Sequence, residues 1–335
     1  MEIRILKPAL HLRRWLCAAA SALALLAAAP AYAAAPQRVV IYQAFQSLLY
    51  LPLYVGIDKG LFAAQGLDVR KVTANSGAAG VAAVIGGNAT FSLQDPMTAV
   101  LANLKGADLV NVALVVNGAP VWLVTQRNAP GSTPVKTIDD LKGKTISTAI
   151  PPSTSTYLLE RLLKAQKIKA DLDTVQIGTE PAPMLAGRAD AAALYEPQLD
   201  ESLAAGSRII YAFTSHYPGG YAFSTIDTQR ATVKNKPALV QDFVSGLAAA
   251  ERLMHRSPET ALAVAYQEFP TLPKPVIRAA VQRMVAEDVY PAGTTITQQA
   301  FANALALQVF IGNIKPGEVH YEAAIDDDFA TKADH

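Results

Sequence analysis

Residues 39–73 read VVIYQAFQSLLYLPLYVGIDKGLFAAQGLDVRKVT, and they alternate between two hydrophobic patterns. An apolar run at 39–42 is followed by a polar and aromatic break at 43–47, a helical pattern that closes on KGLFAAQG, and a second short apolar run. This order predicts strand, loop, helix and strand, which is the unit of a parallel α/β sheet. The loop follows the first strand, so we expect it to face a ligand site.

A second pattern occurs twice in the chain. Residues 86–96 (GGNATFSLQDP) align without a gap on residues 187–197 (GRADAAALYEP), at a constant offset of 101. Each copy ends a helix at glycine, continues as a short apolar strand, and stops at an acid followed by proline. Proline disfavours helix for the residue before it, so each acid is held extended at the carboxyl end of a strand. Ligands of open α/β sheets bind at those ends, so two copies predict two lobes with a cleft between them.

The KGLF and GLDV elements at 59–62 and 66–69 carry a family resemblance that extends over nearly the whole mature chain. They resemble the opening of the periplasmic solute-binding proteins of bacterial ABC importers, in the nitrate/sulfonate/taurine and thiamine-pyrimidine-precursor branch. The resemblance implies an α/β fold of the type II periplasmic binding class, with two Rossmann-like lobes joined by two crossover strands. It also implies a small-molecule ligand, a monomer, and a membrane permease with ATPase subunits as partners.

The first 33 residues are typical of an export signal. A positive amino-terminal region precedes an apolar run at 15–29, and Ala31-Tyr32-Ala33 supplies the small residues of a cleavage site. The run is shorter than the ~20 residues of a membrane-spanning helix. We therefore expect cleavage after Ala33 and a periplasmic protein, exported by the general pathway or, given Arg13-Arg14, by the twin-arginine route.

Composition excludes several classes of function. The mature chain of 302 residues has 25 Lys and Arg against 27 Asp and Glu, and this balance argues against nucleic-acid binding. Cys17, the one cysteine, falls in the signal segment, so no disulfide or thiolate metal site is expected. The histidines have no metal-ligand spacing, and His216 is interpreted as structural. We expect no metal, no cofactor and no enzymatic activity, since related pyrimidine synthases depend on a histidine and a cysteine-rich motif that this chain lacks.

The order of predicted elements gives the lobe boundaries. Lobe I comprises 34–127 plus 221–335, and lobe II comprises 128–220. The first crossover is predicted at Asn128–Pro134, which is rich in Pro, Gly, Ser and Thr, and the return at 216–220. Two such connections permit rigid-body closure around a ligand.

Candidate ligand contacts in lobe I follow its predicted strands. Amide, hydroxyl and aromatic groups after the first strand suit a flat, partly apolar solute, and the segment before the second helix offers backbone N–H groups for an oxygen atom. Ordinary connection and helix capping are the alternatives. The lobe I candidates are Gln43, Phe45, Gln46, Ser47, Tyr50, Asn75, Ser76, Gln94 and Asp95.

In lobe II, hydroxyl groups at 153–156 open a helix, where the helix dipole favours a sulfonate, carboxylate or nitrate oxygen. One of them is expected to cap the helix in any case. Aromatic residues near the strand ends, including Trp122, Tyr217 and Tyr221, either stack on a solute or pack the hinge. The lobe II candidates are Ser153, Thr154, Ser155, Tyr195 and Glu196.

Asp95 and Glu196 separate the possible ligands. Carboxylates facing the cleft favour amine, amidine or ring N–H groups and repel a bare anion. The four predicted cleft loops, at 43–50, 75–77, 94–97 and 151–156, contain no basic residue. Alternatively, both acids orient loops or cap helices. The family resemblance favours a sulfonate, nitrate or taurine, whereas the acids favour an aminopyrimidine or another nitrogen heterocycle. An aromatic acid is a further alternative. A sensor module that docks to a membrane receptor remains a third possibility.

Overall fold

The computed structural model describes residues 35–74, 76–126 and 135–335. It contains two five-stranded sheets. The first has the spatial order β2 (Leu67–Thr73), β1 (Gln37–Gln43), β3 (Phe91–Gln94), β10 (Ser224–Gln229) and β4 (Leu109–Val116). The second has the order β7 (Asp171–Val175), β6 (Thr145–Ala149), β8 (Ala191–Leu194), β5 (Trp122–Gln126) and β9 (Ser207–Ala212).

The two sheets share one topology. In each, the first strand pairs in parallel with the second and third, and an antiparallel strand lies between the third and the last. That antiparallel strand follows, in the chain, the strands of the other sheet. β5 comes after β1–β4 but lies in the second sheet, and β10 comes after β6–β9 but lies in the first. The predicted two-lobed α/β fold with exchanged crossover strands is therefore confirmed.

One predicted boundary is wrong. The apolar run at 121–125 was assigned to lobe I, but Trp122 in β5 pairs with Leu194 and Ala212 of the second sheet. The chain therefore passes to lobe II before Trp122, although the predicted crossover at Asn128–Pro134 lies outside the described residues. A fully buried apolar strand fits either sheet equally well, so its hydrophobic pattern gives no information about which sheet it joins.

Helices cover both sheets. Those associated with the βα units are α1 (Leu51–Asp58), α2 (Gly77–Ile85), α3 (Pro96–Asn103), α4 (Thr154–Ala165), α5 (Pro181–Leu185) and α6 (Gln198–Ala204). The carboxyl-terminal third forms α7 (Arg230–Asn235), α8 (Pro237–Arg256), α9 (Pro258–Glu268), α10 (Lys274–Ala286), α11 (Gln298–Phe310), α12 (Tyr321–Ala324) and α13 (Asp328–Asp334). None of the helices that the structure describes is both long and apolar enough to cross a bilayer.

The KGLF element has a packing role. Phe62 is buried and stacks on Phe243 of α8, with ring centroids 4.8 Å apart, and Phe243 in turn stacks on Phe91 at 4.3 Å. A Cβ atom added at Gly56 or Gly246 would lie 2.5 or 2.6 Å from the Phe62 ring. Two glycines thus admit one phenyl ring between α1 and α8, and the motif joins the first βα unit to the long helix behind the sheet.

The internal repeat follows a different offset from the one the sequence suggests. Gly87 and Gly187 both have φ near 70° and both donate to the carbonyl of the residue three positions earlier. The strands that follow, β3 and β8, begin at residues 91 and 191. The structural offset is therefore 100 through the turn and the strand, and the ungapped offset of 101 is wrong. Asp95 corresponds to Tyr195, while Glu196 is one residue beyond.

Candidate ligand-binding cleft

A cavity of about 760 Å³ lies where the parallel strands of both sheets end. Four of the residues that line it immediately follow strands β1, β3, β6 and β8, and these are Ala44, Asp95, Ile150 and Tyr195. Ser224, the first residue of the antiparallel β10, reaches the same wall. The cavity therefore occupies the position at which open α/β sheets bind ligands.

Eight of the predicted contact residues line this cavity. From lobe I they are Phe45, Tyr50, Ser76, Gln94 and Asp95, and from lobe II they are Ser153, Thr154 and Tyr195. The remainder of the wall is largely apolar, with Ile85, Ile150 and Ile177 exposed. A mainly apolar cavity with a few convergent polar groups suits a small organic solute.

Asp95 joins the two lobes. Its Oδ1 accepts from the Met97 backbone N–H at 2.8 Å and so caps α3, while its Oδ2 accepts from the Thr154 hydroxyl of α4 at 2.9 Å. Burial raises the pKa of Asp95 to about 6, although both hydrogen bonds oppose the shift. Its carboxylate forms no ion pair among the described residues. Asp95 therefore lines the cavity and also caps α3, so the two alternatives predicted for it both apply.

Gln94 presents an oxygen atom without a partner. Its Nε2 donates to Asp227 Oδ1 at 3.0 Å and to Ser92 Oγ at 3.1 Å, both buried within the first sheet. Its Oε1 is buried and accepts no hydrogen bond from any described residue. Burial also raises the pKa of Asp227 to about 7, against the hydrogen bonds from Ser92 and Gln94.

The hydroxyl groups at the start of α4 divide into two pairs. Ser153 and Thr154 line the cavity, and Ser153 makes no capping hydrogen bond with its side chain. Ser155 is predicted as a contact but is buried behind them. Its hydroxyl lies 2.9 Å from that of Ser153, and its backbone N–H donates to the Tyr195 hydroxyl at 2.9 Å. Thr156 is likewise buried, 2.9 Å from Thr148.

Three predicted contacts in the first loop instead build the fold. Gln43 donates to Gln46 at 2.7 Å and to Thr73 at 2.9 Å, and it accepts from the Tyr54 hydroxyl at 2.8 Å. Ser47 accepts from the Leu49 N–H and caps a short helical turn. None of the three lines the cavity, whereas Ala44, Phe45 and Tyr50 of the same segment do. Asn75, also predicted, lies outside the described residues.

Glu196 is the clearest error among the predicted sites. Its side chain is fully buried and accepts from Arg283 Nε at 3.2 Å, while Arg283 Nη2 donates to Asp200 at 2.9 Å. Burial and the neighbouring Asp200 raise its pKa, and Arg283 opposes that shift. Glu196 does not line the cavity, because the extra residue before Pro197 rotates it away from the face on which Asp95 lies.

Trp122, Tyr217 and Tyr221 pack between the lobes and do not line the cavity. The Trp122 indole N–H donates to Glu287 at 3.1 Å, and the two tyrosine rings meet edge to face at 5.0 Å. His216 bonds locally to the Ala212 carbonyl at 2.8 Å. No group of acidic, histidine or cysteine residues suited to a metal ion occurs in the described part of the chain.

Several lining residues were not predicted. Ser224 is the first residue of β10, whereas the predicted contacts follow strands. Lys105 follows α3, outside the four predicted cleft loops, and it is the one basic residue on the described wall. Gln308 and Asn313 come from α11 and the segment after it, more than 100 residues from the nearest motif, and no local signal marks them.

A two-lobed α/β fold with a cleft at the strand ends defines the structural class of this chain. The chain belongs to the NMT1/THI5-like family, whose model matches residues 49–261. Its relatives include YtlA of Bacillus subtilis (strain 168), with 21% identity over 303 residues, 88% of this chain and 89% of that one.

Solved structures share the fold. The periplasmic aliphatic sulphonate binding protein SsuA from Escherichia coli superposes with a TM-score of 0.70 at 21% identity, covering 87% of this chain and 97% of its own. The desulfurization enzyme DSZB superposes with a TM-score of 0.65 at 11% identity, covering 89% and 98%.

Proposed function

We propose that this chain is the extracytoplasmic solute-binding component of an ABC importer. It captures a small nitrogen-bearing organic solute between its lobes and delivers it to a membrane permease with ATPase subunits. The family and the two-lobed fold support the transport role, and the predicted signal segment supports a periplasmic location after cleavage at Ala33.

The observation that carries the ligand class is the Asp95 carboxylate on the cavity wall. It forms no ion pair within the described structure, and its pKa of about 6 leaves it mostly ionised at neutral pH. A ligand amine or ring N–H would give it a charge-assisted hydrogen bond, whereas a bare anion would be repelled. Gln94 Oε1, one residue earlier, offers a second acceptor to the same kind of ligand.

The apolar wall indicates the remainder of the solute. Phe45 and Tyr50 pack with ring centroids 5.2 Å apart on the lobe I side, and Tyr195 and Ile150 face the cavity from lobe II. Flat aromatic and aliphatic surfaces at these positions suit a planar ring. An aminopyrimidine or a similar aminated heterocycle combines such a ring with N–H donors.

Closure of the lobes would depend on contacts made from both sides. Thr154 of lobe II already donates to Asp95 of lobe I, and Ser47 of lobe I lies 3.4 Å from the Glu196 carbonyl of lobe II. A solute that bonds to both walls adds to these contacts only when the lobes meet. It shifts the equilibrium towards the closed form by that difference in affinity.

A second candidate ligand is a sulfonate, taurine or nitrate. The amino-terminal end of α4 faces the cavity with Ser153 making no capping bond, and a helix terminus of this kind favours an anion. Lys105 adds one positive charge at the wall. Taurine carries both an ammonium and a sulfonate group, so it could satisfy Asp95 and α4 together.

Binding is proposed rather than catalysis, although DSZB shows that an enzyme uses a related fold. The cavity wall, as far as the structure describes it, contains neither histidine nor cysteine. The side chains that reach the ligand position are hydroxyl, amide and carboxyl groups that already hold neighbouring elements. They suit recognition of a solute.

The test is a thermal-shift and calorimetric screen of residues 34–335 against aminopyrimidines, taurine, alkanesulfonates, nitrate and aromatic acids. A saturable response to an aminopyrimidine is expected, and a ligand at ~100 times its Kd adds about 2.7 kcal/mol of stability. Asp95→Asn should weaken that response. Saturation by alkanesulfonates alone would replace the first ligand class by the second, and no response to any compound would contradict both.

A further inference from the structure

The side-chain amide of Gln94 is held in one orientation by groups outside the cavity. Its nitrogen lies 3.0 Å from Asp227 Oδ1 and 3.1 Å from Ser92 Oγ. Ser92 in turn donates its own proton to the Asp227 carboxylate at 2.8 Å. An ionised carboxylate only accepts hydrogen bonds, so it binds the nitrogen of the amide and turns the oxygen away.

The Gln94 oxygen therefore faces the opposite direction, towards Gly77, the first residue of α2, and both residues line the cavity. Gln94 is 1% exposed, and Oε1 has no hydrogen-bond partner among the described residues. Buried acceptors without a partner are uncommon in folded proteins, so each calls for an explanation. A donor supplied by the solute would complete this one.

Gly77 provides the space for that oxygen. A Cβ atom added to Gly77 would lie 2.6 Å from Gln94 Oε1, which is closer than such atoms approach. Gly77 is the first residue of α2 and does not have positive φ, so alanine suits its backbone. The absence of a side chain at Gly77 instead leaves room for the amide oxygen of Gln94.

We infer that Asp227 is a positioning residue that fixes Gln94 Oε1 as a hydrogen-bond acceptor of the cleft. The site thereby selects a solute with an N–H group over a matched solute that lacks one. This inference rests on the proposed function and adds to it. The Gln94 amide discriminates between such solutes. Asp227, a buried acid that does not line the cavity, determines which atom of that amide is the acceptor.

Gln43 serves as a matched control within the same sheet. It is also a buried glutamine at the end of a parallel strand, β1, next to β3. Its oxygen, however, accepts from the Tyr54 hydroxyl at 2.8 Å, and the residue does not line the cavity. Loss of Gln43 is expected to reduce stability without changing selectivity.

The experiment measures Kd for 4-aminopyrimidine and 4-methoxypyrimidine by calorimetry at pH 8.5, where Asp227 is ionised. The methoxy compound keeps the ring acceptors and removes the N–H donor. The wild-type protein should prefer the amino compound by about tenfold, the value of one net hydrogen bond. Asp227→Asn, whose amide can donate to Gln94, and Gly77→Ala, which displaces the oxygen, should abolish the preference. Gln43→Leu should retain it.

Two results overturn the inference by this route. One is a wild-type preference for the methoxy compound, and the other is an unchanged ratio in both Asp227→Asn and Gly77→Ala. A ratio of affinities is insensitive to general loss of stability, and Gly77→Ala provides the test if Asp227→Asn folds poorly.

A measurement without ligand separates this inference from the proposed ligand class. In ¹⁵N-labelled protein, the Gln94 amide signals are assigned by their loss in Gln94→Leu. Both amide protons should exchange slowly in the wild type and faster in Asp227→Asn. Rapid exchange in the wild type would overturn the inference. If neither pyrimidine binds but the exchange is slow, the ligand class fails while the fixed orientation of Gln94 is supported.

Discussion

The two copies of the strand, acid and proline pattern have similar sequences and different roles. In lobe I, Asp95 directly follows β3, lines the cavity and bonds to Thr154 of the other lobe. In lobe II, one extra residue separates β8 from Pro197, so Tyr195 takes the position of Asp95. Glu196 lies behind the wall with Arg283. Side chains of an extended chain alternate between faces, so a shift of one residue exchanges a ligand-facing position for a buried one.

The difference places the negative charge of the cleft in one lobe. Lobe I contributes a carboxylate and an amide oxygen, while lobe II contributes a phenol and the hydroxyl groups of α4. The Tyr195 hydroxyl is occupied by the Ser155 N–H, so Tyr195 offers mainly its ring to a solute. Two walls of different polarity orient an asymmetric ligand, which two identical acids would not do.

The largest expected effect comes from breaking the buried cluster behind the lobe II copy. Arg283→Met removes the positive charge and leaves Glu196 and Asp200 buried next to each other. Removing one partner of a buried ion pair typically costs 3–5 kcal/mol, so we expect a loss of about 3 kcal/mol in the free energy of unfolding. Urea denaturation measures it.

A double-mutant cycle shows whether that loss arises from the uncompensated acids. Glu196→Gln in the Arg283→Met background should recover part of the stability, because one of the two charges is then absent. Strictly additive losses would instead mean that Arg283 acts through the packing of its side chain against α6.

Next in size is the effect of Asp95→Asn on ligand affinity. Asparagine still accepts from the Met97 N–H, so the cap of α3 and its contribution to stability should be kept. Affinity for an amine-bearing ligand should fall by about 2 kcal/mol, since a hydrogen bond to a charged group is lost. Glu196→Gln is the matched control, and it should change stability more than affinity. A loss of affinity in the control and not in Asp95→Asn would reverse the roles assigned to the two acids.

How far the sequence predicts this site depends on the distance of each contact from a strand end. The strand and turn patterns locate Asp95, Tyr195 and the start of α4, because backbone constraints from Pro96 and Pro197 act locally. They do not distinguish Tyr195 from Glu196, since a one-residue register shift leaves the local hydrophobic pattern intact. Alignment of the two acid-proline pairs gives an offset of 101. The glycine turns, at Gly87 and Gly187, instead align at an offset of 100.

Contacts that depend on tertiary packing could not be predicted from local sequence patterns. Trp122 joins the second sheet because β5 finds its partners there, and an apolar strand carries no mark of its sheet. Gln43 and Gln94 are both glutamines at the end of a strand. The Gln43 oxygen accepts from the Tyr54 hydroxyl, whereas the Gln94 oxygen has no partner among the described residues. Such differences arise from neighbours far along the chain.

A smaller effect concerns pH. Burial raises the pKa of Asp95 from 3.8 to about 6, so the folded state binds this proton more tightly than the unfolded state. The resulting stability is fully present below pH 4 and is lost as the pH rises through 6. Relative to Asp95→Asn, the ligand-free wild type should therefore lose about 1 to 2 kcal/mol between pH 4 and 7, allowing for solvent in the cavity. Unfolding free energies at several pH values measure this, and a constant difference would contradict the burial of Asp95.

The smallest effect compares the helices that begin at the two walls. Ser76 caps α2, since its hydroxyl accepts from the Ala79 N–H at 3.1 Å, whereas Ser153 at the start of α4 makes no capping bond. Ser76→Ala should therefore cost about 1 kcal/mol of stability, and Ser153→Ala only a few tenths. Equal losses would mean that Ser153 caps α4 when no ligand is bound. If Ser153→Ala keeps its stability but weakens taurine or alkanesulfonate binding, α4 is the anion-binding wall. If it also leaves their binding unchanged, the polar recognition of the solute lies with Gln94 and Asp95 of lobe I.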